Sequence, residues 1–215
     1  MIFQSVRGVL ITLEGIDGTG KSTIARMLAE ELRGREVLQT AEPTRGYAGK
    51  ILRDQFLAGG AKADGQARLF GELFLFMADH ADHLERTVSP ALDRGLVVLS
   101  DRYADSTAAY QGATLRGLVP DPVTWIRGLL LPWNIVPDKT LLFTLEPKTA
   151  LERIRARDQS LAKFEREEFL GQVAENFKRL ACLEPDRFAL IDASQETCQV
   201  ADEALKIVLN LLRRH

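Results

Sequence analysis

Apolar, β-branched runs recur at residues 9–13, 36–40, 96–100, 140–145 and 188–191, and the stretches between them are long enough for helices. Strands that alternate with helices predict a parallel sheet covered on both faces. The three central runs are apolar at nearly every position rather than at every second one, the pattern of strands buried on both sides. Together these features predict a doubly wound α/β fold with five parallel strands. In such sheets ligands bind beyond the carboxyl ends of the strands. The residues that follow the runs are therefore the candidate site: 15–22, Glu42 to Arg45, Asp101 to Tyr103, Glu146-Pro147 and Asp192 to Ser194. Most are polar or charged. The segment Leu69 to Leu84 breaks the amphipathic rule. Phe70, Leu73, Phe74, Leu75, Phe76 and Met77 make it apolar on almost every side, so a helix here needs cover from the sheet on one face and from a second subunit or another part of the chain on the other.

Directly after the first run stand Gly15, Ile16, Asp17, Gly18, Thr19, Gly20, Lys21, Ser22 and Thr23. The spacing G-x-x-x-x-G-K-[ST], placed between a strand and a helix, is a phosphate loop. Its backbone N–H groups and the positive end of the helix starting near Lys21 attract a polyphosphate. Lys21 can reach the β- and γ-phosphates, and the Ser22 hydroxyl can ligate Mg²⁺. The chain is expected to bind a nucleoside triphosphate.

Length and charge narrow the class. At 215 residues, with 46% hydrophobic and 27% charged residues and a net charge of −2, the chain reads as one soluble domain. The basic excess that nucleic-acid or membrane-surface binding would call for is missing. No signal-peptide pattern stands at the N-terminus, and the richest later apolar stretch, Leu129 to Asn134, is far too short to span a bilayer, so a cytoplasmic location is expected. Cys182 and Cys198 lack metal-ligand spacing and are expected to be buried thiols.

Two further groups carry candidate chemistry. Asp101-Arg102-Tyr103 closes the third run. An Asp there can hold Mg²⁺ or its waters, and the neighbouring Arg can clamp phosphoryl oxygens. Arg153, Arg155 and Arg157, with Lys163 and Arg166 beyond them, set alternating cations after a helix beginning near Thr149. Gly18 and Thr19 occupy loop positions where some kinases carry an arginine, so a basic flap over residues 152–168 is the expected source of transition-state cations.

With these pieces in place the chain resembles the thymidylate kinases of the nucleoside monophosphate kinase group, nearly end to end. The resemblance rests on Glu14 to Thr23, Glu42-Pro43-Thr44, Asp101-Arg102-Tyr103 with Ser106-Thr107 and Ala109-Tyr110-Gln111, the arginines at 153, 155 and 157, and Ile191 to Ser194. The Glu-Pro-Thr form resembles archaeal members. The resemblance implies a P-loop NTPase fold, a homodimer, Mg²⁺, and transfer from ATP to dTMP giving dTDP. It implies that Asp17 contacts the sugar or the metal-bound water network, Tyr110 packs on the deoxyribose and crowds out a 2′-hydroxyl, and Phe76 stacks on the base. Arg102 would bridge the donor and acceptor phosphates. Asp192 and Ala193 would border the adenine, and Arg45 and Arg53 are candidates for the acceptor phosphate. Glu42, Ser106, Thr107 and Gln111 complete the substrate set. At one position the chain departs from the family. Family members usually carry an Arg four residues after Phe76 to read the thymine carbonyl, and here His80 stands there. A His offers one hydrogen bond where a guanidinium offers a fork, which weakens the implied base contact.

A signalling GTPase would need an Asn-Lys-x-Asp guanine motif, and none of Asn134, Asn176 and Asn210 begins one. A kinase for another acceptor, such as dUMP or a deoxynucleoside, and a non-catalytic nucleotide-binding protein both remain consistent with the phosphate loop.

Overall fold

The computed structural model describes residues 7–57, 65–157 and 167–214. Five strands, β1 (Val9–Glu14), β2 (Val37–Ala41), β3 (Val97–Asp101), β4 (Lys139–Thr144) and β5 (Phe188–Asp192), form one sheet in the order β2-β3-β1-β4-β5. Every pairing is parallel; Ile11 of β1, for example, faces Leu99 on one side and Lys139 on the other. The strands fall within a residue or so of the predicted runs. The central strands β3, β1 and β4 are almost wholly buried, while the edge strands β2 and β5 are partly exposed, which accounts for their weaker apolar patterns.

Nine α-helices among the described residues cover the sheet: α1 (Lys21–Glu31), α2 (Tyr47–Ile51), α3 (Gln66–His83), α4 (Ser89–Asp93), α5 (Ala104–Thr114), α6 (Pro122–Leu130), α7 (Pro147–Arg157), α8 (Glu167–Leu183) and α9 (Thr197–Leu212). Successive strand residues send side chains to opposite faces. Ile11, Leu13, Leu99 and Leu141 pack against Ile24 and Leu28 of α1 and Ala204 and Val208 of α9. Leu10, Val98 and Leu142 pack on the other face with Ala108 of α5, Ile126 of α6 and Val173 and Phe177 of α8.

Helix α3 departs from expectation. Its main neighbours are α2 and α5, and its buried side chains, Leu73 apart, are polar: Glu72, Asp79, His80 and His83. Asp79, His80 and His83 are inward because they hold the end of β2 and the loop after it, while Glu72 accepts from Gln111 of α5. Asp79 accepts from the Thr44 backbone N–H (2.7 Å) and hydroxyl (2.6 Å), and His83 Nε2 meets the Thr40 hydroxyl at 2.7 Å. The opposite side leaves Phe74 54% exposed. The two cysteines also differ from expectation, since both are exposed. Cys182 falls off the buried stripe Leu170, Val173, Phe177, Leu180 of α8, and Cys198 precedes the first buried turn of α9 at Val200.

Candidate active site

The phosphate loop joins β1 to α1 at the centre of the sheet. Gly15 lies at φ +136°, and a side chain there would run into the Phe143 carbonyl oxygen. Gly18 lies at φ +83°, and its Cβ would come within 2.5 Å of the Ala150 carbonyl oxygen. Both positions therefore demand glycine, and they pack the loop against β4 and α7. Lys21 points into the loop, where its Nζ donates to the Ile16 carbonyl (2.8 Å) and the Thr19 hydroxyl (3.1 Å). Burial and the nearby Arg102 charge lower its pKa to about 8. The Ser22 hydroxyl donates to the Asp101 carboxylate, so the two predicted metal ligands stand side by side at the open end of β3.

Arg102 ties these parts together. Its Nη2 donates to Asp17 Oδ1 (2.6 Å) and to the Tyr110 hydroxyl (3.2 Å), and its Nη1 donates to Ser106 Oγ (3.1 Å). The Tyr110 hydroxyl also donates to Asp17 Oδ2 (2.9 Å) and accepts from the Asp17 N–H (3.0 Å), so its hydrogen-bonding capacity is used up. Burial would raise the Asp17 pKa, but the charges of Arg102 and Lys21 outweigh it and hold the carboxyl below its usual range. The guanidinium has five N–H groups, and these contacts leave Nε–H and one Nη1–H free to face a ligand. Arg102 is the one non-glycine residue with positive φ (71°) among those described. That conformation costs on the order of 1 kcal/mol and is typically held at functional sites.

Behind Ser106 stands Glu14, fully buried, which accepts from both the Ser106 N–H (3.2 Å) and hydroxyl. The Ser106 hydroxyl must therefore donate to Glu14, and its lone pairs are left for Arg102. Burial and the neighbouring Asp105 push the Glu14 pKa well above the usual carboxylate value.

A cavity of about 130 Å³ opens beside this network, lined by Asp17, Glu42, Phe76, Arg102, Ser106, Thr107, Tyr110 and Gln111 among others. A larger one of about 630 Å³ touches the phosphate loop at Gly15 and Ile16 and reaches Thr144, Asp192 and Ser194 at the ends of β4 and β5. Ala193 lies next to these, and its carbonyl accepts from Arg153 Nη1 (2.9 Å).

The family model for thymidylate kinase matches residues 13–204. The chain is 45% identical to a probable thymidylate kinase of Methanosarcina mazei over 212 residues, covering 97% of this chain and 99% of the relative. It is 45% identical to one from Natronomonas pharaonis over 206 residues (96% and 100%) and 47% identical to one from Halobacterium salinarum over 199 residues (91% and 93%). The chain belongs to the thymidylate kinase family.

Within this thymidylate kinase fold Asp17, Glu42, Phe76, Arg102, Ser106, Thr107, Tyr110 and Gln111 line the smaller cavity and Gly15, Ile16 and Asp192 the larger, whereas His80, Arg45, Arg53 and Arg155 line neither. His80 is fully buried and absent from the lining of the smaller cavity. Its Nδ1 faces Glu42 Oε1 at 2.7 Å and its Nε2 faces Asn134 Oδ1 at 2.9 Å, so both ring nitrogens are already partnered within the protein. The same Glu42 oxygen meets His83 Nδ1 at 2.7 Å. Arg45 and Arg53 line a neighbouring groove across Pro43, where Arg53 Nη1 donates to the Pro43 carbonyl (2.9 Å) and to that of Thr44. Arg155 is exposed on α7; the side chain of Arg157 and residues 158–166, with Lys163 and Arg166, lie outside the described residues. Sequence reasoning assigned no role to Glu14, Glu72, Asp79 or Asn134. The charged residues inside the apolar 69–84 segment were the available signal that this helix has buried polar work.

The Glu42–His80 pair makes stability depend on pH. Burial would lower the His80 pKa, but the Glu42 carboxylate prevails and holds it above the ordinary 6.5. Burial would likewise raise Glu42, and His80 holds it below the ordinary 4.5. The His80 contribution is complete below pH 6.5 and is lost as pH rises through the raised folded value. The Glu42 contribution is complete above pH 4.5 and is lost as pH falls through the depressed one. Melting curves should show His80→Asn destabilised by about 1–3 kcal/mol near pH 6, with a smaller gap near pH 9. A gap that stays constant with pH would show that the pair carries no charge.

Proposed function

We propose that the chain transfers the γ-phosphoryl group of ATP to dTMP, giving ADP and dTDP. The observation that carries the reading is the placement of one guanidinium, Arg102, between a complete phosphate loop and a separate cavity that holds Phe76, Thr107, Tyr110 and Gln111. Phosphoryl transfer needs in-line positioning and charge compensation more than covalent help from the protein. The loop N–H groups and Lys21 would bind the donor phosphates, and the two free N–H groups of Arg102 would reach the oxygens passing between donor and acceptor. A bound polyphosphate favours the protonated form of Lys21 and offsets the depression of its pKa.

Ser22 and Asp101 supply paired hard oxygen donors, which suits Mg²⁺. Among the described residues no three His, Cys, Asp or Glu side chains cluster as a closed metal cage, so the ion would take its other ligands from phosphate and water. When bound it would neutralise charge on the phosphates. The contact of Arg153 with the Ala193 carbonyl supports a donor base lying near residues 192–194, and Arg155 and Arg157 on the same helix would supply further positive charge from the flap. Arg45 and Arg53, one residue across Pro43 from the acceptor cavity, would reach the acceptor phosphate. The reading includes a cytoplasmic location. No helix among the described residues is long and apolar enough to cross a membrane.

The uncovered side of α3 supports a homodimer, because Phe74 is exposed there with Ala67, Ala78 and Ala81 in line at helical spacing. Sedimentation of the wild type should give the dimer mass, and Phe74→Glu should shift it to the monomer. A monomeric wild type would rule that assembly out.

Measuring ADP release across a panel of nucleoside monophosphates tests the reaction. We expect dTMP to lead and ribonucleotides to fall at least about tenfold behind, because a 2′-hydroxyl forced against the Tyr110 ring loses water without gaining a partner. Equal use of UMP and dTMP would contradict the role of Tyr110, and no use of dTMP would contradict the reaction.

A further inference from the structure

With both His80 ring nitrogens engaged by Glu42 and Asn134, another pair is placed to read the base. Gln111 on α5 and Glu72 on α3 are both fully buried, and Gln111 Nε2 donates to Glu72 Oε1 over 3.3 Å. A carboxylate accepts and cannot donate, so this contact decides which end of the amide points where. The nitrogen is held toward Glu72 and the oxygen is turned away from it. That oxygen, Oε1, is buried without a hydrogen-bond partner, although Gln111 lines the acceptor cavity beside Phe76 and Thr107. Glu72 itself does not line the cavity. An orphaned buried acceptor is unfavourable in the free protein, and such atoms call for a functional explanation.

We propose that Glu72 is a positioning residue for base selection: by fixing the Gln111 amide in one orientation it presents Oε1 to the cavity as the acceptor for a pyrimidine ring N3–H. The inference rests on the dTMP kinase reading and adds the group that sets its selectivity. Thymine and uracil carry a hydrogen at N3. Cytosine carries a lone pair there, which Oε1 would meet with a lone pair of its own, leaving two acceptors facing each other. An amide free to turn over would present an N–H to cytosine instead. Glu72 prevents that rotation, and no residue touching the base need change for the selectivity to be lost.

Steady-state kinetics with dTMP and dCMP on the full chain test this. In Glu72→Gln the new amide can donate as well as accept, so it no longer dictates the orientation of Gln111. KM for dTMP should rise about tenfold, kcat should stay within about threefold, and the dTMP-to-dCMP ratio of kcat/KM should fall about tenfold. The exchange variant Glu72→Gln/Gln111→Glu restores an amide-to-carboxylate bond with its polarity reversed. An oxygen-only group then faces the cavity, and the ratio should return to within about threefold of wild type. An unchanged ratio in Glu72→Gln overturns the proposal, whatever happens to kcat or the melting temperature. So does an exchange variant no more selective than the single one, since a purely structural glutamate would not be rescued this way. Should Glu72→Gln fail to fold, the exchange variant decides alone: retained selectivity supports the proposal and lost selectivity overturns it. A wild-type enzyme inactive on dTMP would overturn the reaction assignment, an outcome separate from an unchanged ratio.

Discussion

The charged bond between Arg102 and Asp17 is the interaction on which the site depends. Asp17 belongs to the phosphate loop after β1 and Arg102 to the turn after β3, and parallel pairing of these neighbouring strands brings the two loops together. Tyr110 of α5 closes the group by bonding to both partners. The left-handed backbone at Arg102 is unfavourable by itself. It persists because Asp17, Tyr110 and Ser106 hold the side chain while the Arg102 N–H bonds to the Leu13 carbonyl at 3.0 Å. Burial would lower the Arg102 pKa, but Tyr110 and Asp17 hold it above the ordinary value, so the cation stays charged wherever the protein is folded. A charge held in fixed geometry needs little reorganisation when a transition state forms beside it.

Around that centre the protein spends buried polar groups as struts. Glu14 sets the direction of the Ser106 hydroxyl, Asp79 pins Thr44, and His80 and His83 together hold one oxygen of Glu42. Each such group costs desolvation unless its partners are complete, and removal of one member leaves the other stranded. Two loops at the carboxyl edge of the sheet, after β1 and after β2, are fixed in this way. Helix α3 supplies the struts for the second, which is why its buried side is polar and its large aromatic residue at 74 faces outward.

The fold was legible from the chain because its determinants are local. Continuous apolar runs marked the central strands, and the phosphate loop was readable because its two motif glycines, Gly15 and Gly20, lie at φ +136° and +87°, a backbone conformation that other residues rarely adopt. Asp101, Arg102 and Tyr110 were legible from motif and position at a strand end. The parts not legible are pairings between distant residues. The links from Glu42 to His80, His80 to Asn134 and Glu72 to Gln111 span 38, 54 and 39 positions, and nothing local to any member announces its partner. His80 shows the consequence. Its place four residues after Phe76 pointed toward the base, but Glu42 and Asn134 compete for the ring and hold it inside. The cysteines were misplaced for a related reason, since composition gives a tendency to burial while the helix face decides it.

The claim that a clamped guanidinium at position 102 links phosphate loop and acceptor is tested most directly by Arg102→Lys. Lysine keeps the positive charge but has no planar fork with which to bond Asp17, Tyr110 and Ser106 together while facing a phosphate. Single-turnover transfer from ATP to dTMP should slow by a factor of about 100 or more, roughly 2.7 kcal/mol, with ATP affinity within about threefold of wild type. A transfer rate within about threefold of wild type would show that charge alone suffices there, and would contradict the account.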